Sequence, residues 1–558
     1  MADLRLAAPA AVCWMVTAAG MLVPLGASTV IVAVLLSATA VAGWCARDRR
    51  WRSVAVTVAG ICGVGAAAGV VIVLRSSAVD HTPVTEAVGN PIVGVTVAGD
   101  PVHHAGGRRL TVPVEVHELG GIAQRPVAAR LHASSGSREL IPGQRLAVRV
   151  RVEEAGEPGR DRLVAAELNA VGDMVLRGDA PWWQRAAGHV RLRLRDLASR
   201  ALGDRAGGLF PGLILGDTGG LDQLTRENFR AAGLSHLVAV SGANLVLTVG
   251  AVVLCVRAVG ASPKAVFLVG VVAVVGFVIL VRPTDSVLRA AIMGSVGLAA
   301  GLASRRAQAL PALGSAVIAV LLWWPEMAIA PGFALSVAAT LGLVLWSAPI
   351  RVALTDRRCP EWVATLLSMT IAAQILTTPI VIAVTGRVSV FTVPANLLAA
   401  PAVPLIGILG TLAAACAAVG PRYGPGEVIA ELLTRAAGPA VRWLIGVADR
   451  LGGPGWVWPE VPGPAVAAVL VVAGAGVGVL RTRRGRGADA GPVRGARGVA
   501  LFWKDGARER SAVSPSRRRR LPDWSRDLAD QRGAQSGGGC RRTRDPGARR
   551  RGDRPRAR

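Results

Sequence analysis

The stretch Leu234-Ser-His236-Leu-Val-Ala-Val-Ser241-Gly242-Ala-Asn244-Leu-Val-Leu-Thr-Val-Gly-Ala-Val-Val-Leu-Cys255 decides how this chain is read. It is apolar over the roughly 20 residues that a helix needs to cross a bilayer. Yet its opening turns carry His236, Ser241 and Asn244. Polar side chains at membrane depth are costly, and they ordinarily face a bundle interior or a water-filled path. Similar apolar runs stand on both sides of it. Residues 6–25, 27–45 and 53–74 form a first group; 265–281, 287–302, 310–324, 333–348, 363–384, 393–419 and 461–480 follow. The 558 residues are 52% hydrophobic and only 18% charged, with a mean hydropathy of +0.46. Soluble domains carry charge on roughly a quarter of their residues. The expected class is mainly α, a polytopic transmembrane helical bundle. Residues 6–25 are its first helix rather than a cleaved leader, because further spans follow.

Charge sets the orientation. Arg47-Asp-Arg49-Arg50-Trp51-Arg52 is the densest basic loop before the tail, and the positive-inside rule places it in the cytoplasm. The third helix then runs outward, and the residues after it lie outside. The loops with Arg257/Lys264, Arg305/Arg306 and Arg351/Arg357/Arg358 return to the cytoplasmic side under the same count. The net charge of +27 says less, since 24 basic and 8 acidic residues, +16 of the total, fall in the last 78 positions. That tail, 481–558, is rich in Arg, Gly and Pro, lacks a hydrophobic period and is expected to be disordered. It is either a functional basic tail for nucleic acid or anionic lipid, or an incidental one, such as a frame-shifted reading of a GC-rich gene.

Between the two membrane groups, residues 76–180 change character. Leu110-Thr-Val-Pro-Val-Glu-Val-His alternates, with Leu110, Val112, Val114 and Val116 on one face. Leu146-Ala-Val-Arg-Val-Arg-Val alternates too and sets Arg149 and Arg151 opposite its apolar face. With 92–98, 127–131 and 163–168 these give five short strands, enough for a small antiparallel barrel. Arg149 and Arg151 are its candidate contacts to a polyanion. Residues 181–206 then pair Trp182 and Trp183 with an Arg-rich amphipathic helix carrying Arg185, Arg191, Arg193, Arg195 and Arg200. It reads as an interfacial helix; the alternative is a basic face touching nucleic acid. Residues 427–450 are amphipathic and are expected on the surface. Pro394, Pro401 and Pro404 allow a broken or re-entrant helix over 393–419.

Few residues offer chemistry. His236 and Ser241 are five apart, which does not align them on one helix face, and no acid is placed to orient the imidazole. Catalysis is therefore not expected, though an intramembrane enzyme using His236 and Ser241, or a transporter of another solute, stands as the rival reading. Asp285 and Arg289 have the spacing of a helix-surface ion pair, and the alternative sets Arg289 against the phosphates of a passing strand. Gln374 and Asn396 sit in proline-broken helices, where they either line a path or bond between helices. The seven histidines form no metal motif, no C-x-x-C joins the seven cysteines, and no phosphate-binding GxxxxGK[ST] loop is present. No metal or other cofactor is expected.

The membrane block resembles the ComEC family of competence proteins, inner-membrane channels for single-stranded DNA. The resemblance rests on Gly212-Leu-Ile-Leu-Gly216-Asp217, Phe229-Arg230-Ala-Ala-Gly233-Leu-Ser-His236 through Asn244, Ser286-Val-Leu-Arg289-Ala-Ala-Ile-Met293 and Gly332-Phe333-Ala-Leu335-Ser336, with Gln374 to Pro379 and Asn396 to Pro401 continuing it. Ala330 and Pro331 depart from the acidic residue often found there. The resemblance implies a channel domain at 207–480 behind N-terminal helices at 1–75, and an extracytoplasmic OB-like domain at 76–180. It implies Asp217, His236, Ser241, Gly242, Asn244, Arg289, Gln374 and Asn396 as channel-lining positions. The implied partners are single-stranded DNA, membrane lipid, other competence proteins (a DNA receptor, an ATP-driven motor and a separate nuclease) and a second copy of the chain. Many family members carry a metallo-β-lactamase-like domain and a disulfide in the OB-like domain; neither has a counterpart in this sequence.

Overall fold

The computed structural model describes residues 5–87, 89–103, 109–134, 140–155, 161–238, 242–302, 308–386, 388–389, 391–419, 424–453 and 457–458. Ser241, Arg305, Arg306, the 461–480 run and the tail lie outside the described residues.

Three helices open the chain: α1 (Ala7–Leu22), α2 (Leu25–Cys45) and α3 (Arg52–Asp80). Small residues let them approach closely, as side chains in a lipid-facing bundle must. A Cβ on Gly65 would stand 2.8 Å from Val12, and one on Gly69 would stand 2.6 Å from Val32.

The β domain follows with β1 (Ile92–Val97), β2 (Val102–His103), β3 (Arg109–Leu119), β4 (Ile122–Ser134), β5 (Arg145–Glu154), β6 (Ala166–Ala170) and β7 (Val175–Gly178). The expected strand at 163–168 is displaced to β6, because Val164 closes a turn onto Asp161 and pairing starts only at Ala166. Short β2 and β7 were not expected. The ladder runs β1–β3–β4–β6–β5, and β5 pairs back to β1; only β4–β6 is parallel. Alternation does the sorting: Leu110, Val112, Val114 and Val116 are all buried, packed with Val93, Val95, Leu131, Val148, Val150 and Leu168. The result is a small mixed sheet.

The second block holds α4 (Trp182–Leu202), α5 (Asp204–Leu215), α6 (Gln223–Ala231), the single turn α7 (Ser235–Val238), α8 (Gly242–Ala258), α9 (Pro263–Val281), α10 (Asp285–Leu302) and α11 (Ala309–Trp323). It continues through α12 (Pro331–Thr355), α13 (Glu361–Thr385), α14 (Thr392–Ala399), α15 (Ala402–Ala418) and α16 (Pro425–Leu451). Among the described residues, α2, α3, α9, α12 and α13 are long and apolar enough to cross a membrane; α14 with α15, bent by 47°, makes a sixth. The bend falls at Pro401, between the two helices. In the apolar run opening at Leu234 the described residues form α7 up to Val238 and α8 from Gly242.

Relative sidedness is fixed by contacts. At the end of α3, Arg75 Nη2 donates to the Trp323 carbonyl at the end of α11, 2.7 Å away. Asp100 in the β1–β2 loop accepts from Arg282, the residue after α9. The ends of α3, α9 and α11 and the start of α10 therefore share the β-domain face, as the basic-loop count requires.

Candidate functional site

The cavity of interest, about 1660 Å³, lies between the β domain and this helix-end face. Its wall takes Asp100, Glu115 and Arg130 from the β domain, Arg75 from α3, Arg191 and Arg195 from α4, Asp217, then Arg226, Glu227 and Arg230 from α6. Arg282, Thr284, Trp323, Trp324 and Glu326 complete it. Seven arginines thus face five carboxylates.

Each side chain is placed by local rules. Helix α4 is amphipathic, and its Arg191, Arg193 and Arg195 turn into protein. Arg191 Nη1 donates to the carbonyls of Leu215 at 3.0 Å, Leu280 at 3.3 Å and Val281 at 3.3 Å, the open ends of α5 and α9. Arg193 Nη1 does the same for Ala417 at the end of α15, at 2.8 Å. The last carbonyls of a helix have no partner within it and carry its negative dipole end, so guanidiniums suit them well. The helix is thus a collar that caps three others, while Trp182, Trp183, Arg185 and Arg200 stay exposed.

Asp100 is held from two sides: Arg191 Nη2 donates at 3.1 Å and Arg282 Nε at 3.0 Å. Arg282 also donates to Gln184 and adopts a left-handed backbone, φ +80°. Non-glycine residues rarely adopt that conformation, and it persists only where surroundings impose it. Burial pushes its guanidinium below the ordinary pKa; Asp100 opposes that shift and Arg191 adds to it. Asp217 is buried and takes Arg195 with both carboxylate oxygens, at 2.7 and 2.8 Å. Arg226 and Arg230, four apart on α6, are exposed and make no ion pair among the described residues. Across the cavity Trp323 is 68% exposed, with the Trp324 ring centroid 6.2 Å away.

Below this rim the first turn of α10 enters the bundle. Asp285 does not pair with Arg289; its carboxylate accepts from the backbone N–H of Phe333 at the start of α12. The positive end of α12 attracts it more than a residue on its own helix does. Arg289 Nε instead donates to Ser336 Oγ at 2.7 Å, and Nη1 meets Met293 Sδ at 3.5 Å. Arg289 keeps partial solvent access and His236 is exposed. Asn244 differs: it is buried, and its Nδ2 donates to the Leu213 carbonyl at 2.8 Å. The adjoining space is only about 10 Å³, too little for more than one water. Asn244 therefore closes the end of α5 and does not face a path.

With that geometry in place the comparisons become informative. Residues 213–484 match the family model described as Competence protein. Over 195 residues the chain is 28% identical to "ComE operon protein 3" of Bacillus subtilis (strain 168). The alignment covers 35% of this chain and 24% of that relative, about a quarter of its length. No solved structure matches. Just under half of the chain, residues 213–484, is thus a competence-family region.

The ComEC-like motifs now have physical causes. Gly216 (φ +69°) ends α5, its N–H bonded to Gly212 O while the Asp217 N–H reaches Pro211 O; the left-handed glycine turns Asp217 toward Arg195. Gly233 (φ +73°) ends α6 in the same way, and a Cβ there would meet Thr392 Oγ1 at 2.6 Å. Gly332 leaves room for Asp285, whose Oδ2 would lie 2.3 Å from an added Cβ. Among the described residues Gln374 and Asn396 make no interhelical bond: Gln374 accepts from Thr378 on α13, and Asn396 donates to the Thr392 carbonyl on α14. Gly242 stands beside Arg289. Arg149 and Arg151 are exposed, as their alternation demands, but on β-domain surface outside the cavity. Sequence reading missed Arg75, Arg226, Trp323 and Trp324 as site residues, since each belongs to a different element and only the fold gathers them.

Proposed function

We propose that this chain admits single-stranded DNA through the inner membrane during competence-related DNA uptake, receiving it in the vestibule between the β domain and the bundle. The observation that carries the reading is the vestibule itself: Arg226 and Arg230, with no ion pair among the described residues, share its wall with exposed Trp323 and half-buried Trp324. A groove of positive charge with aromatic rings for unstacked bases is what sequence-tolerant single-strand binding uses. The rigid collar of α4 would hold the mouth open while the strand enters. Such a chain supplies a path and no energy, so a DNA receptor, an ATP-driven motor and a nuclease are its implied partners.

The reading is tested by binding of a fluorescent oligo-dT to the full chain in detergent, at several salt concentrations. Arg226→Glu/Arg230→Glu is expected to weaken binding. It should also flatten the logarithmic salt dependence by about 1.4, since each lost phosphate contact on a single strand accounts for ~0.7. Unchanged affinity and slope would remove the vestibule from the account. Arg149→Glu/Arg151→Glu should have the smaller effect.

A further inference from the structure

Residues 46–51 join α2 and α3, both long and apolar enough to cross a membrane. The two helices pack as a hairpin, with Thr39 of α2 3.8 Å from where a Cβ on Gly63 of α3 would stand. The 29 residues of α3 rise about 43 Å at 1.5 Å each, more than the ~30 Å hydrocarbon core. Its last turns reach the vestibule face through Arg75, so the α2–α3 loop stands at the opposite membrane surface.

That loop sets Arg47, Arg49, Arg50 and Arg52 against a single acid, Asp48. All four arginines are exposed, and none makes an ion pair among the described residues. Asp48 folds the loop instead: its Oδ1 accepts from the Arg50 backbone N–H at 2.9 Å, and its carbonyl from the Trp51 N–H at 3.2 Å. Trp44, in the last turn of α2, is 69% exposed, and Trp51, just before α3, is 62% exposed. Tryptophan favours the boundary of hydrocarbon and headgroup, where its apolar ring and polar N–H both find a place. Four cations beside a spanning helix are the pattern that an anionic leaflet attracts. The α12–α13 turn provides a contrast at the same surface, because α12 starts close to vestibule-lining Met327 and runs away from it. From Arg351 to Glu361 it has three arginines and two acids, and Arg351 pairs with Glu361 at 3.6 Å.

We infer that the α2–α3 loop, flanked by Trp44 and Trp51, is a docking surface for anionic phospholipid headgroups of the leaflet opposite the β domain. A guanidinium fork can donate two parallel bonds to a lipid phosphate. A nucleic acid laid on the same surface would meet the arginines but leave both indoles at the bilayer boundary, whereas a phospholipid engages both. The inference stands apart from the DNA reading.

The test mixes the full chain in detergent with equimolar phosphatidylglycerol and phosphatidylcholine and measures retained lipid by native mass spectrometry. Wild type should prefer phosphatidylglycerol. Arg47→Gln/Arg49→Gln/Arg50→Gln/Arg52→Gln should lose that preference. Arg49→Gln/Arg50→Gln should lower it by on the order of fivefold per arginine, the factor for a cation near an anionic surface, and decides the matter should the fourfold variant not fold. Trp44→Ala/Trp51→Ala should weaken retention at unchanged charge, and Arg357→Gln/Arg358→Gln should leave the preference intact. The inference is overturned by no preference in wild type, by one that survives the loop substitutions, by retention indifferent to the tryptophans, or by equal loss in Arg357→Gln/Arg358→Gln. Oligo-dT binding that falls in the loop variants while lipid retention holds would give the loop to nucleic acid instead.

Discussion

Replacing Asp100 by alanine should loosen the junction of the β domain and the bundle without unfolding either part. The carboxylate lies 3.1 Å from Arg191 Nη2 and 3.0 Å from Arg282 Nε, whose side chains are only 11% and 10% exposed. Asp100 itself is 37% exposed. Removing one member of a well-buried ion pair costs about 3–5 kcal/mol because the remaining charge is left uncompensated. Water reaching Asp100 screens part of this, and exposed pairs are worth only about 0.2–1 kcal/mol. Arg191 also keeps its three carbonyl acceptors. A cost of about 2 kcal/mol lies between these limits, concentrated at Arg282, whose strained backbone loses one of its restraints. Hydrogen exchange on the full chain in detergent should show faster exchange at residues 98–103 and 281–285, with the β3–β4 core unchanged and Tm lowered. Arg282→Gln in the Asp100→Ala background should recover part of the loss by removing one orphaned cation. Wild-type exchange and Tm in Asp100→Ala would refute the reasoning, for the clamp would then hold nothing.

Two more outcomes follow from the same geometry. Asn244→Ala should destabilise the full chain by about 1–3 kcal/mol, because the buried Leu213 carbonyl loses its donor; chemical denaturation of the purified protein measures it. At the far end of α16, Asp449 is held below the ordinary carboxylate range: burial alone would raise it, but bonds from Arg205 and Asn228 outweigh burial. A depressed acid contributes its stability above the unfolded pKa of about 3.9 and loses it as pH falls through the folded value. Acidification below about pH 4 should therefore loosen α5 and α6 from α16, read by exchange at Arg205 and Asn228, and Asp449→Asn should abolish that pH dependence.

Sequence alone disclosed the elements whose signal is local. Period-two alternation at Leu110–Val116 and Leu146–Val152 identified buried strand faces, and uniform apolar runs identified the spanning helices. The proline break at Pro401 and the amphipathic α4 and α16 were legible in the same way. The misreadings share one cause, which is competition from another part of the chain. The Asp285–Arg289 pair has ideal spacing, but the α12 N-terminus takes the acid. Asn244 looks like a path residue until Leu213, 31 positions earlier, supplies a carbonyl that needs it. Arg191 and Arg193 read as lipid-facing cations, yet three helix ends converge on them. The vestibule was least legible of all, because its arginines and tryptophans are drawn from α3, the β domain, α4, α6 and α11.

The central claim is that hydrated space continues from the vestibule into the bundle beside His236 and Arg289. Single cysteines in a cysteine-free full-length chain, reconstituted in nanodiscs, test it most directly with a charged thiol reagent. His236→Cys and Arg289→Cys should react readily and be protected by oligo-dT, whereas Asn244→Cys should stay unmodified. If Asn244→Cys reacts as fast as the other two, or if neither His236→Cys nor Arg289→Cys reacts at all, no such continuous hydrated space exists.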